Sequence, residues 1–353
     1  MTTQRWNDER ADLDEDWRKA LQDANLAPLW DVLAALVTPT PQGRMEAAAW
    51  SYETVRPLLM KAGELISAAR AERRVLILEN PATPGESRIT DTLYAGLQLI
   101  LPGEVAPAHR HTQSALRFIM EGTGAFTALD GERIYMEKYD LILTPNWVWH
   151  DHGNETNEAM VWLDGLDIPL LKSLDASFAE HRPDRGACPP GRADGDTRER
   201  WGRNLRPVRG VAPDRTANPL YTYPFSEWSR TLTAMEASDP PYPHEGYRLE
   251  FRNPLDGGAV MSTISAFAQS VPAGFHTAPM RSTDGTIFVV VSGTGTIMID
   301  DREFALSEGT VVVAPSWSTR RILANERLIL FSYSDRTVQE KLNLWREELL
   351  PAD

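Results

Sequence analysis

The hydrophobic pattern of the chain changes period near residue 70. Up to that point apolar residues recur at helical spacing, in LAPLWDVLAALV and AAAWSYETVRPLLMKAGELISAA, with the breaker TPTPQG between them. From Arg73 they form short alternating runs separated by Gly, Asn and Asp, such as LYAGLQLILPGE and ALRFIMEGTGAFTALDG. The pattern predicts a helical arm over residues 1–70 and an antiparallel β unit over residues 71–171.

A second β unit repeats the first. The segment MRSTDGTIFVVVSGTG (280–295) aligns without a gap under HRHTQSALRFIMEGTG (109–124), and VVVAPSWSTR (311–320) aligns under LILTPNWVWH (141–150), which preserves a Pro-x-Trp turn. Such a repeat indicates two copies of one structural unit. We therefore predict an all-β-dominated fold of two antiparallel barrels.

The remaining segments complete this domain plan. Residues 172–218 are rich in Asp, Arg, Gly and Pro, which is typical of a linker, so the second barrel is placed at 219–335. The tail SDRTVQEKLNLWREELL has apolar residues at helical spacing and predicts a C-terminal helix over 336–353.

Composition limits the classes of function. Hydrophobic residues make up 42% and charged residues 24% of the chain, as in globular proteins, and no apolar run is long enough to cross a bilayer. We expect a soluble, cytoplasmic protein without a membrane partner. The net charge of −14 argues against nucleic-acid binding, while a small anionic substrate would require local arginines. The single cysteine, Cys188, excludes an internal disulfide and a Cys-rich metal site, and its Pro/Gly-rich surroundings argue against a catalytic thiol.

Histidines in the first β unit have the spacing of metal ligands. His109 and His111 lie two apart in a predicted strand, so both side chains project to one face. An His-x-His pair alone is also typical of ordinary polar strand positions. Here it follows Gly103 and precedes a Pro-x-Trp turn that leads to His150. A barrel wall brings such hairpin-separated positions together, so we interpret the three histidines as one metal site.

These motifs resemble the cupin superfamily, whose members carry Gly, His-x-His and Gly, then a Pro-x-Gly turn with His and Asn. The resemblance implies double-stranded β-helix (jelly-roll) barrels. Two positions depart from it: the glutamate that usually supplies a fourth ligand would fall at Ala115, and Trp147 replaces the turn glycine. The metal would then be bound by three neutral imidazoles.

Three histidines do not identify the metal, because they also serve zinc and suit copper or nickel. They leave room for a chelating substrate together with a gas molecule, which is what a non-haem Fe(II) oxygenase requires. We therefore favour Fe(II). The corresponding positions of the second barrel are Met280, Ser282 and Arg320, so we expect one iron per chain, in the first barrel, and a structural role for His276.

The chain is further similar to the gentisate 1,2-dioxygenase family, which includes salicylate and 1-hydroxy-2-naphthoate 1,2-dioxygenases. The likeness extends roughly from residue 29 to the C terminus, and its clearest motifs are LYAGLQLILPGEVAPAHRHTQSALRF, PNWVWHDHGN, WLDGLDIP and LFSYSDRTVQEKL. It implies a bicupin homotetramer that converts gentisate and O2 to maleylpyruvate in aromatic catabolism. A salicylate or hydroxynaphthoate dioxygenase, a metal-dependent cupin isomerase or decarboxylase, and a non-catalytic small-molecule-binding bicupin are the alternatives.

Basic and amide side chains near the histidines suit an aromatic carboxylate. Arg117 lies six residues beyond His111 and therefore shares its inward face, where it would receive a substrate carboxylate or close the barrel with a salt bridge. Arg73 and Arg74 are further candidates, of which only one should point inward. Gln98 matches a pocket glutamine of the family.

Two further residues are candidates for proton handling. His152 lies two residues beyond His150, so it too faces inward and could act as acid or base at a phenolic hydroxyl, the alternative being a rim histidine that bonds backbone. Asp164 matches the acidic pocket residue of the family and is preferred over Asp167. Tyr94 and Trp162 are interpreted as core aromatics.

Overall fold

The computed structural model describes residues 15–184, 186–209 and 217–352. The chain forms two compact units, which divide between Gln42 and Gly43. The described part of the first unit is a pair of helices, α1 (Glu15–Asp23) and α2 (Leu29–Leu36). The indole rings of Trp17 and Trp30 stack with centroids 6.3 Å apart.

The second unit contains two barrels, each made of a six-stranded and a five-stranded antiparallel sheet. In spatial order, the six-stranded sheet of the first barrel consists of β12 (Thr222–Tyr223), β8 (Leu141–Thr144), β5 (Ala115–Glu121), β10 (Met160–Leu166), β3 (Tyr94–Ile100) and β2 (Val75–Ile77). Its five-stranded sheet consists of β11 (Ala179–His181), β4 (Val105–His111), β9 (His150–Gly153), β6 (Phe126–Leu129) and β7 (Glu132–Tyr135).

The second barrel has the same strand arrangement. Its six-stranded sheet consists of β1 (Ala48–Trp50), β19 (Val311–Ala314), β16 (Thr286–Ser292), β21 (Leu328–Ser334), β14 (Ser265–Val271) and β13 (Tyr247–Glu250). Its five-stranded sheet consists of β18 (Arg302–Leu306), β17 (Gly295–Ile299), β20 (Arg320–Ala324), β15 (Met280–Ser282) and β22 (Glu347–Leu349). The predicted fold of two antiparallel barrels is confirmed.

Helices connect and flank the barrels of this unit. They are α3 (Tyr52–Leu65), α4 (Ala68–Ala71), α5 (Ile168–Ser173), α6 (Asp196–Trp201), α7 (Phe225–Ser238) and α8 (Arg336–Lys341). Within the described ranges, none of the helices combines the length and hydropathy needed to span a membrane.

The internal repeat predicted from the sequence is confirmed by the strand register. His109 is paired across the sheet with His150, and the aligned residue Met280 is paired with Arg320. Strands β5 and β16 begin and end at positions that the gapless alignment places opposite each other. Residue-by-residue comparison of the two barrels is therefore justified.

The predicted segment boundaries are wrong at three points. Strand β1 lies in the predicted arm but pairs with β19, and the predicted linker contains β11, which pairs with β4. The C-terminal helix α8 ends at Lys341, Asn343 adopts a left-handed backbone with φ of 57°, and the predicted helical tail continues as β22. A strand of three residues shows too little alternation of apolar and polar positions to be recognised in the sequence. Its pairing depends on a sheet edge that is distant in the chain.

One of the hydrophobic clusters contains residues of both barrels. The rings of Phe118 and Phe331, one from each barrel, stack in parallel with centroids 4.2 Å apart, and both are fully buried. Removing a side chain of this kind from water contributes about 1.5–3 kcal/mol. The second barrel therefore supports the first from behind the six-stranded sheet.

Candidate metal centre and pocket

Three histidines meet on the inner face of the five-stranded sheet of the first barrel. Strand β4 carries His109 and His111, and β9 begins at His150. The ring centroids are 4.2 to 5.3 Å apart, and one potential ligand atom from each residue lies within 4.8 Å of the others. In the described part of the chain, this is the one group of three or more His, Cys, Asp or Glu residues with that proximity.

Backbone carbonyls orient two of the rings. Nδ1 of His111 lies 2.9 Å from the carbonyl oxygen of Gln113, and Nδ1 of His150 lies 3.0 Å from that of Val148. A carbonyl can only accept, so each Nδ1 carries the proton and each Nε2 keeps its lone pair. Nε2 of His150 is buried, and none of the residues that the structure describes forms a hydrogen bond with it. This is the arrangement that metal-binding histidines use.

The environment keeps the imidazoles neutral. Burial, with Arg73 second, lowers the pKa of His109 to about 2, and burial lowers the pKa of His111 to about 4. Burial also holds the pKa of His150 well below its usual range. A metal ligand must be deprotonated, so at neutral pH all three residues can bind a divalent cation. The donor set fits a metal ion.

Of the two adjacent arginines, Arg73 lies at this centre and Arg74 does not. Nη2 of Arg73 donates to the carbonyl of Pro107 at 3.1 Å and contacts Nδ1 of His109. Arg74 instead forms a two-pronged ion pair with Glu104, at 2.6 and 2.9 Å, and donates to the carbonyl of Ile66. Of the two, Arg73 thus contacts a histidine of the centre, and Arg74 has a structural role.

Arg117 and Asp164 form a buried pair on the inner face of the six-stranded sheet. They are direct partners on β5 and β10, and Nε of Arg117 lies 3.4 Å from Oδ1 of Asp164. The arginine also donates to the hydroxyl of Thr144, and Nε1 of Trp162 donates to Asp164 at 3.0 Å. Burial raises the pKa of Asp164 to about 6, against the opposing effect of Arg117. Both predicted residues are present, and the salt bridge considered for Arg117 is formed.

A fourth histidine, His152, is buried next to the three. The hydroxyl of Thr127 forms a hydrogen bond of 2.9 Å with Nδ1 of His152 and lies 3.6 Å from the sulfur of Met136. Nε2 of His152 is buried, and no residue in the described ranges forms a hydrogen bond with it. The ring lies 5.8 Å from that of His150, measured between centroids. The position of His152 suits proton acceptance from a bound molecule.

The remaining predicted residues line or support the same barrel. Gln98 is buried on β3, on the same side of the strand as Tyr94. Tyr333 of the second barrel donates to the carbonyl of Tyr94 at 3.0 Å. Asp167 accepts from the amide of Ser114 at 3.0 Å and from a hydroxyl of the second barrel, which is a structural role.

In the second barrel, the three ligand positions carry different chemistry. The guanidinium of Arg320 donates twice to the hydroxyl of Ser282, at 3.1 Å, and Met280 is buried beside them. His276 is exposed and forms a β-bridge with Leu323. A cation thus lies where the first barrel has His150.

Two residues of the segment predicted to be a linker, His181 and Cys188, contact the first barrel near the site and were not predicted from the sequence. His181 on β11 is the strand partner of His109, and the two rings are 6.0 Å apart. The amide of Cys188 donates to the buried carboxylate of Asp151, and burial raises the pKa of the Cys188 thiol to about 12, which leaves it unreactive. No local pattern marks either residue, because each is defined by a partner far away in the chain.

Comparison with known proteins agrees with this architecture. The family model described as "Cupin domain" matches residues 96–166. The chain is 46% identical to gentisate 1,2 dioxygenase 1 of Aquipseudomonas alcaligenes over 94% of this chain and 95% of that protein. It is 38% identical to a gentisate 1,2-dioxygenase of Streptomyces sp, with 96% of each protein covered.

Solved structures show the same likeness. A variant of the salicylate 1,2-dioxygenase from Pseudoaminobacter salicylatoxidans, in complex with gentisate, superposes with a TM-score of 0.90 at 33% identity, over 96% of both chains. Similarity of this extent, over nearly the whole chain, establishes that the chain belongs to the gentisate 1,2-dioxygenase family of ring-cleaving bicupin dioxygenases.

Proposed function

We propose that the protein binds one Fe(II) through His109, His111 and His150 and converts gentisate (2,5-dihydroxybenzoate) and O2 to maleylpyruvate. The observation that carries this proposal is a three-histidine donor set beside two arginines, in a chain 46% identical to a gentisate dioxygenase. When bound there, ferrous iron would supply the redox chemistry that allows dioxygen to react with an aromatic ring.

The charge of the pocket supports an anionic substrate. Arg73 and Arg117 contribute two positive charges, and Asp164 contributes one negative charge. Burial, followed by repulsion from Arg117, lowers the pKa of Arg73 to about 10, so the group is still charged at neutral pH. Three neutral histidines add no compensating charge. A carboxylate that binds between the arginines would balance the excess, with Gln98 as an additional hydrogen-bond partner.

Proton handling is assigned to His152 and Asp164. With Nδ1 donating to the hydroxyl of Thr127, Nε2 of His152 can accept a proton from a phenolic hydroxyl, and Thr127 then stabilises the imidazolium that forms. Asp164 holds Arg117 in place and can accept a proton or hydrogen bond itself. These groups favour a substrate that carries hydroxyls as well as a carboxylate.

Other substrates of the family are the alternatives. A 5-aminosalicylate 1,2-dioxygenase of Comamonas sp is 36% identical, and a 1-hydroxy-2-naphthoate dioxygenase of a Nocardioides strain is 37% identical to this chain. The test is oxygen uptake by metal-free protein reconstituted with Fe(II) or Zn(II), with gentisate, salicylate and 1-hydroxy-2-naphthoate. We expect uptake only with Fe(II) and the highest kcat/KM with gentisate. Ligand binding without oxygen uptake would support a non-catalytic bicupin instead.

The same proposal includes a cytoplasmic homotetramer. Leu29, Trp30, Leu33 and Leu36 of the N-terminal unit are exposed, and apolar surface of this kind is commonly buried between subunits. Light scattering should give the tetramer mass, and a monomer mass across the micromolar range would contradict it.

A further inference from the structure

The side chain of Arg110 extends from one of the two segments that carry the histidines and contacts the other, on the side that faces away from the metal site. Arg110 lies between His109 and His111 on β4, so it points away from them. Its Cζ is 4.5 Å from the ring centroid of Trp147 and 4.8 Å from that of Trp149, the residue that precedes His150. Both contacts are within the range of a cation–π interaction.

Further contacts hold Arg110 and Trp147 in place. Glu180 on β11 is the strand partner of Arg110, and its carboxylate accepts from Nε at 2.7 Å. Trp147 has a left-handed backbone with φ of 60°, which is unfavourable for a bulky residue, and its amide donates to the carbonyl of His111 at 2.8 Å. The Arg–Trp–Glu cluster of Arg110, Trp147 and Glu180 therefore holds a strained turn against the end of the His-x-His strand.

The second barrel contains the same cluster without the histidines. Arg281 lies 4.8 Å from the ring centroid of Trp317 and is paired with Glu348 on β22 at 2.5 Å. Trp317 has φ of 63°, and its amide donates to the carbonyl of Ser282 at 2.7 Å. Because this cluster is present in a barrel that lacks the three histidines, the cluster by itself stabilises the turn and is not specific to a metal site.

The first barrel adds one element to this shared arrangement. In the repeat alignment, Thr319 of the second barrel occupies the position of Trp149. The contact of an arginine with a second tryptophan, Arg110 with Trp149, is therefore specific to the barrel that contains the histidines. We propose that Arg110 is a positioning residue, which through Trp149 fixes the segment of His150 relative to β4 and so sets the spacing of the ligand nitrogen atoms of the three histidines. This inference rests on the proposed metal site.

The test compares Arg110→Gln and Trp149→Thr with the matched control Arg281→Gln. Fe(II) affinity is measured by competition with a chromogenic chelator, and thermal unfolding is followed for the metal-free proteins. We expect the two arginine variants to lose similar thermal stability, because each breaks one Arg–Trp–Glu cluster. Only Arg110→Gln and Trp149→Thr should weaken Fe(II) binding, by about 10–100-fold as for other residues that support metal ligands.

Two results would overturn the inference: wild-type Fe(II) affinity in both first-barrel variants, or an equal loss of affinity in Arg281→Gln, which would indicate a general stability effect. If Arg110→Gln fails to fold, Trp149→Thr decides, because it leaves the Arg110–Trp147–Glu180 cluster intact. If the wild-type protein fails to bind Fe(II), the proposed function is wrong. The same comparison made with Zn(II), which three histidines also bind, then tests the positioning role separately.

Discussion

Arg117 lies directly opposite Asp164 on neighbouring strands, with Nε 3.4 Å from Oδ1 and both side chains buried. The guanidinium that the proposed function assigns to the substrate carboxylate therefore already has one anionic partner. Its orientation is fixed before substrate binds, and removal of either group leaves the other as an uncompensated buried charge.

Replacement of Arg117 should weaken both substrate capture and folding. We expect Arg117→Gln to lower kcat/KM strongly and to cost about 3–5 kcal/mol of unfolding free energy, because Asp164 is left buried without its cation. The double variant Arg117→Gln/Asp164→Asn should regain most of the stability but not the activity. Denaturant unfolding and steady-state kinetics measure the two effects, and a double variant no more stable than Arg117→Gln would refute the pairing.

Replacement of His152 should affect turnover and leave metal binding intact. Loss of a general acid–base group typically lowers kcat by about 10²–10⁴-fold, and we expect this of His152→Ala with little change in KM. His150→Ala is the matched control, because it removes a proposed metal ligand two residues away. Metal analysis of both variants decides the assignment: if His152→Ala lost iron as completely as His150→Ala, His152 would be a ligand or its essential support.

The pH dependence of activity should contain a contribution from Asp164. Burial raises the pKa of this carboxyl group to about 6, and the proposed role requires the ionised form. Activity should therefore fall as the pH is lowered through about 6. In Asp164→Asn the activity that remains should lose this acid limb. An unchanged acid limb in the kcat/KM profile of the variant would show that another group is responsible.

The protein should bind one iron per chain. Arg320 and Met280 replace two of the histidines in the second barrel, and a guanidinium cannot act as a metal ligand there. Fe(II)-reconstituted wild type should contain one iron, and His109→Ala should lose most of it. Two tightly bound irons per chain, measured by elemental analysis after gel filtration, would disprove the assignment.

The parts of the site that follow from local periodicity could be predicted from the sequence. Strand alternation places His109 with His111, and His150 with His152, on inward faces, and all four occupy those positions. The internal repeat identified Met280, Ser282 and Arg320 as the corresponding positions of the second barrel, and the strand register confirms it.

The parts that depend on contacts between distant segments could not be predicted. Alternation shows that Arg73 and Arg74 point in opposite directions but not which one meets His109, because that depends on where Glu104 lies. The pairing of Arg117 with Asp164 depends on the register of β5 and β10. The contribution of β11 arises from three residues whose partners are about 70 positions away.

The most direct test of the account is the fate of both oxygen atoms of O2. Fe(II)-reconstituted protein is given gentisate under ¹⁸O₂, and the product is reduced immediately, so that its keto oxygen cannot exchange with water, before its mass is measured. We predict a ring-opened product that contains both labelled atoms, and no product from His150→Ala. A product with a single labelled atom, or an intact ring, would contradict ring cleavage by a dioxygenase.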